Sequence, residues 1–412
     1  MINNVNIYDT LVERGYIAQA THEKEIRDLL GSERVTFYIG YDPTADSLHV
    51  GHFLTLMAMA HLQRAGHRPI ALMGGGTGMI GDPDKADTMR PLMDVAQIDH
   101  NIECFKVQMA KFIDFSDDKA IMANNADWLR HLNYADFIRE YGVHFSVNRM
   151  LAADKYKIKF EGSGLNFFEL NYVVMQAYDF LELNRRFGCT MQFGGSDQWS
   201  NIIAGTELIR RIDGKNSYGL TFNLLTTSQD AKMGKTMAGA VWLNPEKTSP
   251  YEFYQYWRNV EDVIVGKLLR LLTFLPMEEI KELETLKDKE INKAKEVLAY
   301  EITKIVHSEE DAKAAEEASK ALFAGGNLGG SIPETELSAS DVENGINIIE
   351  LLEKAGLIPS RGEGRRLISG GGVKVNDVKI SNHEHIVLKE DFADNEIMIQ
   401  KGKKTFHRIK LV

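Results

Sequence analysis

Apolar residues in the first half of the chain form short runs, separated by longer stretches where they recur every three or four positions. Val35–Tyr41 (VTFYIGY) is β-branched and aromatic and predicts a strand. Val50–Arg64 predicts a helix with Phe53, Leu54, Met57 and Leu62 near one face. Pro69–Met73 predicts a short strand ending in glycines, Val95–Phe112 a helix, Ile121–Ala123 a strand and Asn133–Tyr141 a further helix. Phe167–Leu183 predicts one long helix, Thr190–Phe193 a strand and Gln198–Arg211 a helix. Strands alternating with helices predict an α/β fold, a parallel sheet covered on both faces, with ligands bound beyond the carboxyl ends of the strands.

After about Pro245 the texture changes. Ser249–His307 is helix-rich without a strand signal, and Leu268, Leu271, Leu272 and Leu275 are spaced three and four apart. Asp311–Phe323 continues as an Ala-rich helix. Ala324–Gly345 has the glycine, serine and acid content of a linker. Ile348–Ala355 and Arg361–Ile368 predict two short helices, and Val373–Ile380 a hairpin turning at Asn376-Asp377. The domain reading is therefore 1–240 as the α/β part, 241–323 helical, 324–345 a linker and 346–412 a small α+β module.

The chain has 412 residues, 48 basic and 59 acidic, for a net charge of −11, so it is not a basic coat for nucleic acid. Residues 346–412 depart from this balance with 12 basic and 9 acidic residues, which fits either a polyanion-binding appendage or chance variation. No stretch reaches the ~18 apolar residues of a membrane span, and MINNVNIYDTLVERG has no signal-peptide pattern. Two cysteines, Cys104 and Cys189, cannot form a disulfide framework. These features predict a cytoplasmic protein with no membrane partner.

Candidate chemistry concentrates in a few strings. In YIGYDPTADSLHVGH, Tyr38–His52, His49 and His52 lie three apart on the first turn of the expected helix. HxGH alone fits two surface histidines. After a strand and DPTADS it fits phosphate oxygens met by imidazoles and free helix N–H groups, with Gly51 letting a ligand approach the backbone. DAKMGKT, Asp230–Thr236, alone fits a solvated loop, and beside the first motif it fits a cationic phosphate clamp. Tyr172, Gln176 and Asp179 share one stripe of a helix, which fits either a solvated face or a polar pocket. Gly76–Gly81 matches GxGxxG, but Asp82-Pro83-Asp84 follows at once, which argues against a helix opening inside the glycines and hence against a dinucleotide site.

HVGH and KMGKT resemble the two signature motifs of class I aminoacyl-tRNA synthetases. YDPTADSLHVGH, NYVVMQAYDF, GGSDQW and KTSPYEFYQYW resemble the bacterial tyrosyl-tRNA synthetases in particular, in the same order over nearly the whole chain. The resemblance implies a Rossmann-like catalytic domain, a helical anticodon-binding domain and a small RNA-binding module. It implies that Tyr172, Gln176 and Asp82 bind the ammonium of L-tyrosine, that Asp179 and Tyr38 bind its phenol, and that Gln198 contacts the aminoacyl group. Asp42, Thr44, Gly195 and Asp197 then bind ATP, with His49 and His52 at its phosphates, and Lys232, Lys235 and Thr236 close over pyrophosphate.

Arg90 matches a pyrophosphate contact of the family. Lys85 stands one position early, and Ala86 occupies a place where lysine is common, so no role is carried to Lys85. The resemblance further implies magnesium accompanying ATP without a protein cage and tRNA(Tyr) as partner. Arg361, Arg365, Arg366 and Lys374 would meet RNA phosphates. A homodimer is implied, with Phe167 near its two-fold axis. Two other classes stay open: a different nucleotidyltransferase of the same fold acting on a small acid, and a non-enzymatic RNA-binding relative.

Overall fold

The structure is a computed structural model and describes residues 5–83, 92–236, 239–324, 333–343, 345–393, 395–402 and 405–412. Six strands form the first sheet: β1 (Ile17–Ala20), β2 (Thr36–Tyr41), β3 (Arg68–Met73), β4 (Ile121–Asn124), β5 (Met191–Gly195) and β6 (Tyr218–Phe222). Their spatial order is β1-β6-β5-β2-β3-β4. All neighbours run parallel except the antiparallel edge strand β1. The predicted α/β class holds, and β1 and β6 are strands that the apolar pattern did not disclose.

From β2 the chain steps outward to β3 and β4, then returns to the other side of β2 for β5. This reversal leaves a crevice beyond the carboxyl ends of β2 and β5, where α/β sheets bind ligands. Tyr38 on β2 faces Ile70 on β3 and Gln192 on β5 in register, so its side chain projects from the middle of the sheet. It is 1% exposed within a core that includes Val173, Val174, Ala177 and Phe180 of the helix Tyr172–Phe187.

The helix Val50–Arg64 has the predicted limits, but its burial extends all round: Val50, Leu56, Ala58 and Met59 are as buried as the face expected from periodicity. The long helix expected at 167–183 is broken at Asn171 into Phe167–Leu170 and Tyr172–Phe187. Asn166 and Glu169 cap the first piece reciprocally, and Gly188 ends the second at φ 64° in the left-handed region.

Packing divides the described chain into two compact units. The first holds residues 1–235, 240–244 and 260–298, and the second 236–239, 245–259 and 299–412. Residues 260–298 join the first unit partly through Arg14. Its guanidinium donates to the carbonyls of Arg270 and Thr273, at 2.9 and 3.0 Å, which close the helix Val265–Leu272.

In the second unit, Glu334–Leu337, Val373–Val375, Val378–Ile380, Glu396–Lys401 and Thr405–Leu411 form a five-stranded sheet. The helices Ile348–Lys354 and Arg361–Ser369 share its apolar cluster, which includes Leu351, Ile368, Val373 and Ile399. Asn376 and Asp377 both take positive φ, 45° and 65°, as the expected tight hairpin requires.

The linker expectation needs correcting. Glu334–Leu337 pairs in parallel with Arg408–Leu411, and Leu337 is buried in the module's core. Its Glu-Thr-Glu polarity resembles a linker because it is an edge strand with few inward positions.

Candidate functional site

β2 ends at Tyr41, and the chain turns through Asp42-Pro43 before the helix at Val50. His49 is the N-cap: its Nδ1 accepts from the Gly51 N–H at 2.9 Å, while the His52 Nδ1 accepts from the His49 N–H at 3.1 Å. The rings stack with centroids 4.0 Å apart. A nitrogen that accepts an N–H carries no proton, so each neutral ring holds its hydrogen on Nε2. Both histidines therefore keep a donor on the nitrogen that the cap does not use. Burial, followed by the neighbouring His49, pushes the His52 pKa well below its ordinary value, so His52 is neutral near pH 7. A Cβ on residue 51 would lie 2.6 Å from the His49 Cε1, so Gly51 makes room for the His49 ring itself.

The KMGKT segment docks onto this turn. The Val50 N–H donates to the Val241 carbonyl at 3.0 Å, and the Val241 N–H to the Gly234 carbonyl at 2.9 Å. Gly234 has φ 94°, and a Cβ there would meet the Val50 Cβ at 3.1 Å. The Lys232 ammonium lies 3.6 Å from the Asp197 carboxylate. Asp197 therefore faces a cation, and it does not cap the helix Trp199–Asp213, whose start has no side-chain cap. Lys235 and Thr236 lie on a short strand, and their side chains are outside the described residues, as are Lys85 and Arg90.

Beneath the two motifs lies a hydrogen-bonded polar floor. Asp42 accepts from the Thr77 hydroxyl through Oδ1 and from the Tyr172 phenol through Oδ2, both at 2.8 Å. Asp82 accepts from Gln198 Nε2 at 2.7 Å and is ion-paired with Lys155. Asn201 Nδ2 donates to Gln176 Oε1 at 2.8 Å and to Gln198 Oε1 at 3.2 Å.

Asp179, 2% exposed, accepts from Asn125 Nδ2 at 2.9 Å and Trp128 Nε1 at 2.7 Å. Burial raises its pKa to about 8 despite those two donors. The buried Tyr38 hydroxyl has no hydrogen-bond partner among the described residues. Burial, then the Asp179 charge, pushes its pKa well up.

These groups line one cavity of about 430 Å³ in the first unit. Its wall includes Tyr38, Asp42, Thr44, His49, His52, Asp82, Tyr172, Gln176, Asp179, Gly195, Asp197, Gln198 and Lys232. Residues scattered from position 38 to 232 thus converge on one volume. Its buried end carries a carboxyl and a phenol, and its exposed end carries imidazoles, a carboxylate and an ammonium. A separate, more apolar cavity of about 300 Å³, beside the helix Trp199–Asp213, holds none of the predicted residues.

The remaining predicted positions lie elsewhere. Phe167 is 65% exposed at the start of its short helix. Arg361 pairs with Glu353 at 3.0 Å, Arg365 and Arg366 are exposed on the same helix, and Lys374 is half-buried on its strand.

Comparison with known proteins shows the family. A family model described as tRNA synthetases class I (W and Y) matches residues 31–324, and one described as Tyrosine–tRNA ligase SYY-like C-terminal domain matches 328–409. The chain is 59% identical over 407 residues to a tyrosine–tRNA ligase of Acetivibrio thermocellus, covering 99% of this chain and 100% of that one. It is 61% identical to a tyrosine–tRNA ligase of Lachnoclostridium phytofermentans, covering 98% of each. The chain belongs to the tyrosine–tRNA ligase family.

Among solved structures, a C-terminally truncated Aspergillus nidulans mitochondrial tyrosyl-tRNA synthetase superposes with a TM-score of 0.69 at 29% identity, covering 77% of this chain and 94% of that one. The fold is therefore the class I synthetase fold of that family. Several floor residues escaped the sequence reading. Asn125 and Trp128 follow β4 in a string, NNADWL, without a distinctive spacing. Asn201 sits three residues beyond Gln198, one helical turn on, which is the one local signal that pointed to it. Thr77 and Lys155 enter through loops and a helix that only folding brings near.

Proposed function

We propose that this chain activates L-tyrosine with ATP and transfers the tyrosyl group to the 3′ end of tRNA(Tyr). One observation carries the proposal: a single cavity holds the buried Asp179 and Tyr38 at one end and the His49–His52 pair at the other. A tyrosine phenol would donate to Asp179 and accept from the unpartnered Tyr38 hydroxyl. Phenylalanine would leave the Tyr38 hydroxyl unpaired, at a cost of about 1–3 kcal/mol, and would deny Asp179 a third donor beside Asn125 and Trp128. The substrate ammonium would lie against Asp82, Tyr172 and Gln176, and Gln198 would contact the aminoacyl group.

The tyrosine carboxylate attacks the α-phosphorus of ATP in line, forming the tyrosyl-adenylate, and pyrophosphate leaves with the P–O bond electrons. A tRNA 3′-terminal hydroxyl then attacks the acyl carbon and AMP departs. This needs positioning and charge stabilisation, with no covalent side-chain nucleophile. Asp42, Gly195 and Asp197 would hold the nucleoside, and Thr44 with the Nε2 donors of His49 and His52 would meet the phosphates. Lys232, Lys235 and Arg90 would neutralise the departing pyrophosphate, and the Thr236 hydroxyl would donate to it. Magnesium would travel on the ATP phosphates, whose oxygens supply its ligands.

We assign 1–240 to catalysis, 241–323 to the anticodon arm, and the C-terminal module with Arg361, Arg365, Arg366 and Lys374 to tRNA phosphates. The exposed Phe167 would lie in a homodimer interface, and the enzyme would act in the cytoplasm. The test is exchange of labelled pyrophosphate into ATP, followed by tRNA charging. Both are expected with tyrosine and neither with phenylalanine. Equal use of phenylalanine, or no tyrosine-dependent exchange, overturns the proposal.

A further inference from the structure

A positive charge already sits on the carboxylate that the substrate ammonium would need. Lys155, on the helix Asp154–Glu161, ion-pairs with Asp82 Oδ1, while Gln198 holds Oδ2 at 2.7 Å. Both partners are well covered, with side chains 14% and 16% exposed.

The helix is anchored on each side of this contact. Tyr156, 1% exposed, donates its hydroxyl to Asn201 Oδ1 at 3.3 Å and so joins the Gln176–Gln198 amide network. One turn after Lys155, Lys159 makes a buried ion pair with Glu169. Of the two ion-paired lysines on this helix, Lys155 is the one whose ammonium meets a residue of the substrate cavity.

Resting on the tyrosine-activation reading above, we propose that Lys155 is a built-in competitor for Asp82, displaced by the substrate's α-ammonium. Two cations sharing one carboxylate repel each other, and the water-poor site weakens that repulsion little. Tyrosine binding therefore exchanges one cation for another. The flexible four-carbon stem lets Lys155 withdraw to solvent without moving its helix. Lys155 thus sets tyrosine affinity and makes recognition depend on an ammonium strong enough to replace it. In the empty site it spares Asp82 the cost of an unpaired buried charge.

The test compares wild type, Lys155→Met and Lys155→Arg in tyrosine-dependent pyrophosphate exchange, with fluorescence titration of tyrosine and of its des-amino analogue. Lys155→Met should lower the KM and Kd for tyrosine by about three- to tenfold, the range for one partly buried ion pair. The KM for ATP should not follow. The des-amino analogue, which displaces nothing, should gain no affinity, and Lys155→Arg should stay close to wild type. Weaker tyrosine binding in Lys155→Met would show that Lys155 supports Asp82, and equal tightening of the des-amino analogue would show a general packing effect. Either overturns the inference. If wild type itself shows no exchange with tyrosine, the functional reading fails instead. If Lys155→Met does not fold, unchanged tyrosine affinity in Lys155→Gln would also overturn it.

Discussion

Replacing Asp179 with asparagine should separate the function of this site from its stability. Asp179 receives the Asn125 amide and the Trp128 indole, one on each oxygen. In Asp179→Asn the new NH2 must face one of these donors. Trp128 has only a donor to offer, and Asn125 cannot rotate its amide without losing the Gly76 N–H bound at 2.7 Å. The clash costs about 1–3 kcal/mol at every pH.

Against this stands the charge itself, whose burial holds the pKa at about 8. A carboxyl raised above its unfolded value stabilises the fold fully only below about pH 4, and that contribution is lost as pH rises through 8. At about 1.4 kcal/mol per pKa unit, wild type should lose about 3 kcal/mol between pH 5.5 and 8.5 that the variant keeps. Parallel urea denaturations at the two pH values measure this difference. Tyrosine activation should meanwhile fall by about tenfold or more, because an NH2 group replaces an oxygen that would accept from the phenol, with the KM for ATP held. Unchanged tyrosine kinetics in a folded variant would remove Asp179 from the phenol site. A stability difference independent of pH would refute the assignment of its raised pKa to burial.

Gly51→Ala should slow adenylate formation about tenfold or more while the protein stays folded, because its Cβ pushes the His49 ring from its cap; stopped-flow activation reads this, and a normal rate would mean that the ring can move freely. Ending the chain at Ala324 should leave pyrophosphate exchange nearly intact and strongly weaken tRNA charging, with a shallower salt dependence of tRNA binding. Ending it at Gly345 should give a less soluble protein, because Leu337 loses its parallel partner strand; equal solubility of the two truncations would place Glu334–Leu337 outside the module. Phe167→Asp should sediment as a monomer, and a retained dimer would place the interface elsewhere.

Periodicity and local punctuation determined much of this protein before any contact was known. The strand into Tyr41, the helix opening at Val50 and the Asn376-Asp377 hairpin depend on neighbours a few residues apart, so their signals lie in short strings. The same holds for His49, Gly51 and His52, which form their cap within one helical turn. Burial of the helix Val50–Arg64 on every side, and the strand at Glu334–Leu337, depended on partners far along the chain. An edge strand with alternating acids has the composition of a linker until Arg408–Leu411 arrives beside it.

The polar floor divides in the same way. Tyr172, Gln176 and Asp179 announce themselves as a stripe, because 3.6 residues per turn aligns them. Their partners Asn125, Trp128, Thr77 and Lys155 come from other strands and loops, and no spacing links them to that stripe. The raised pKa of Asp179 belongs wholly to the tertiary structure, since it arises from water excluded by β2, β4 and the helix Tyr172–Phe187 together. So does the placement of Lys155 on Asp82, which requires one helix to be pinned by Tyr156 and Lys159 before its ammonium can reach a carboxylate 73 positions away.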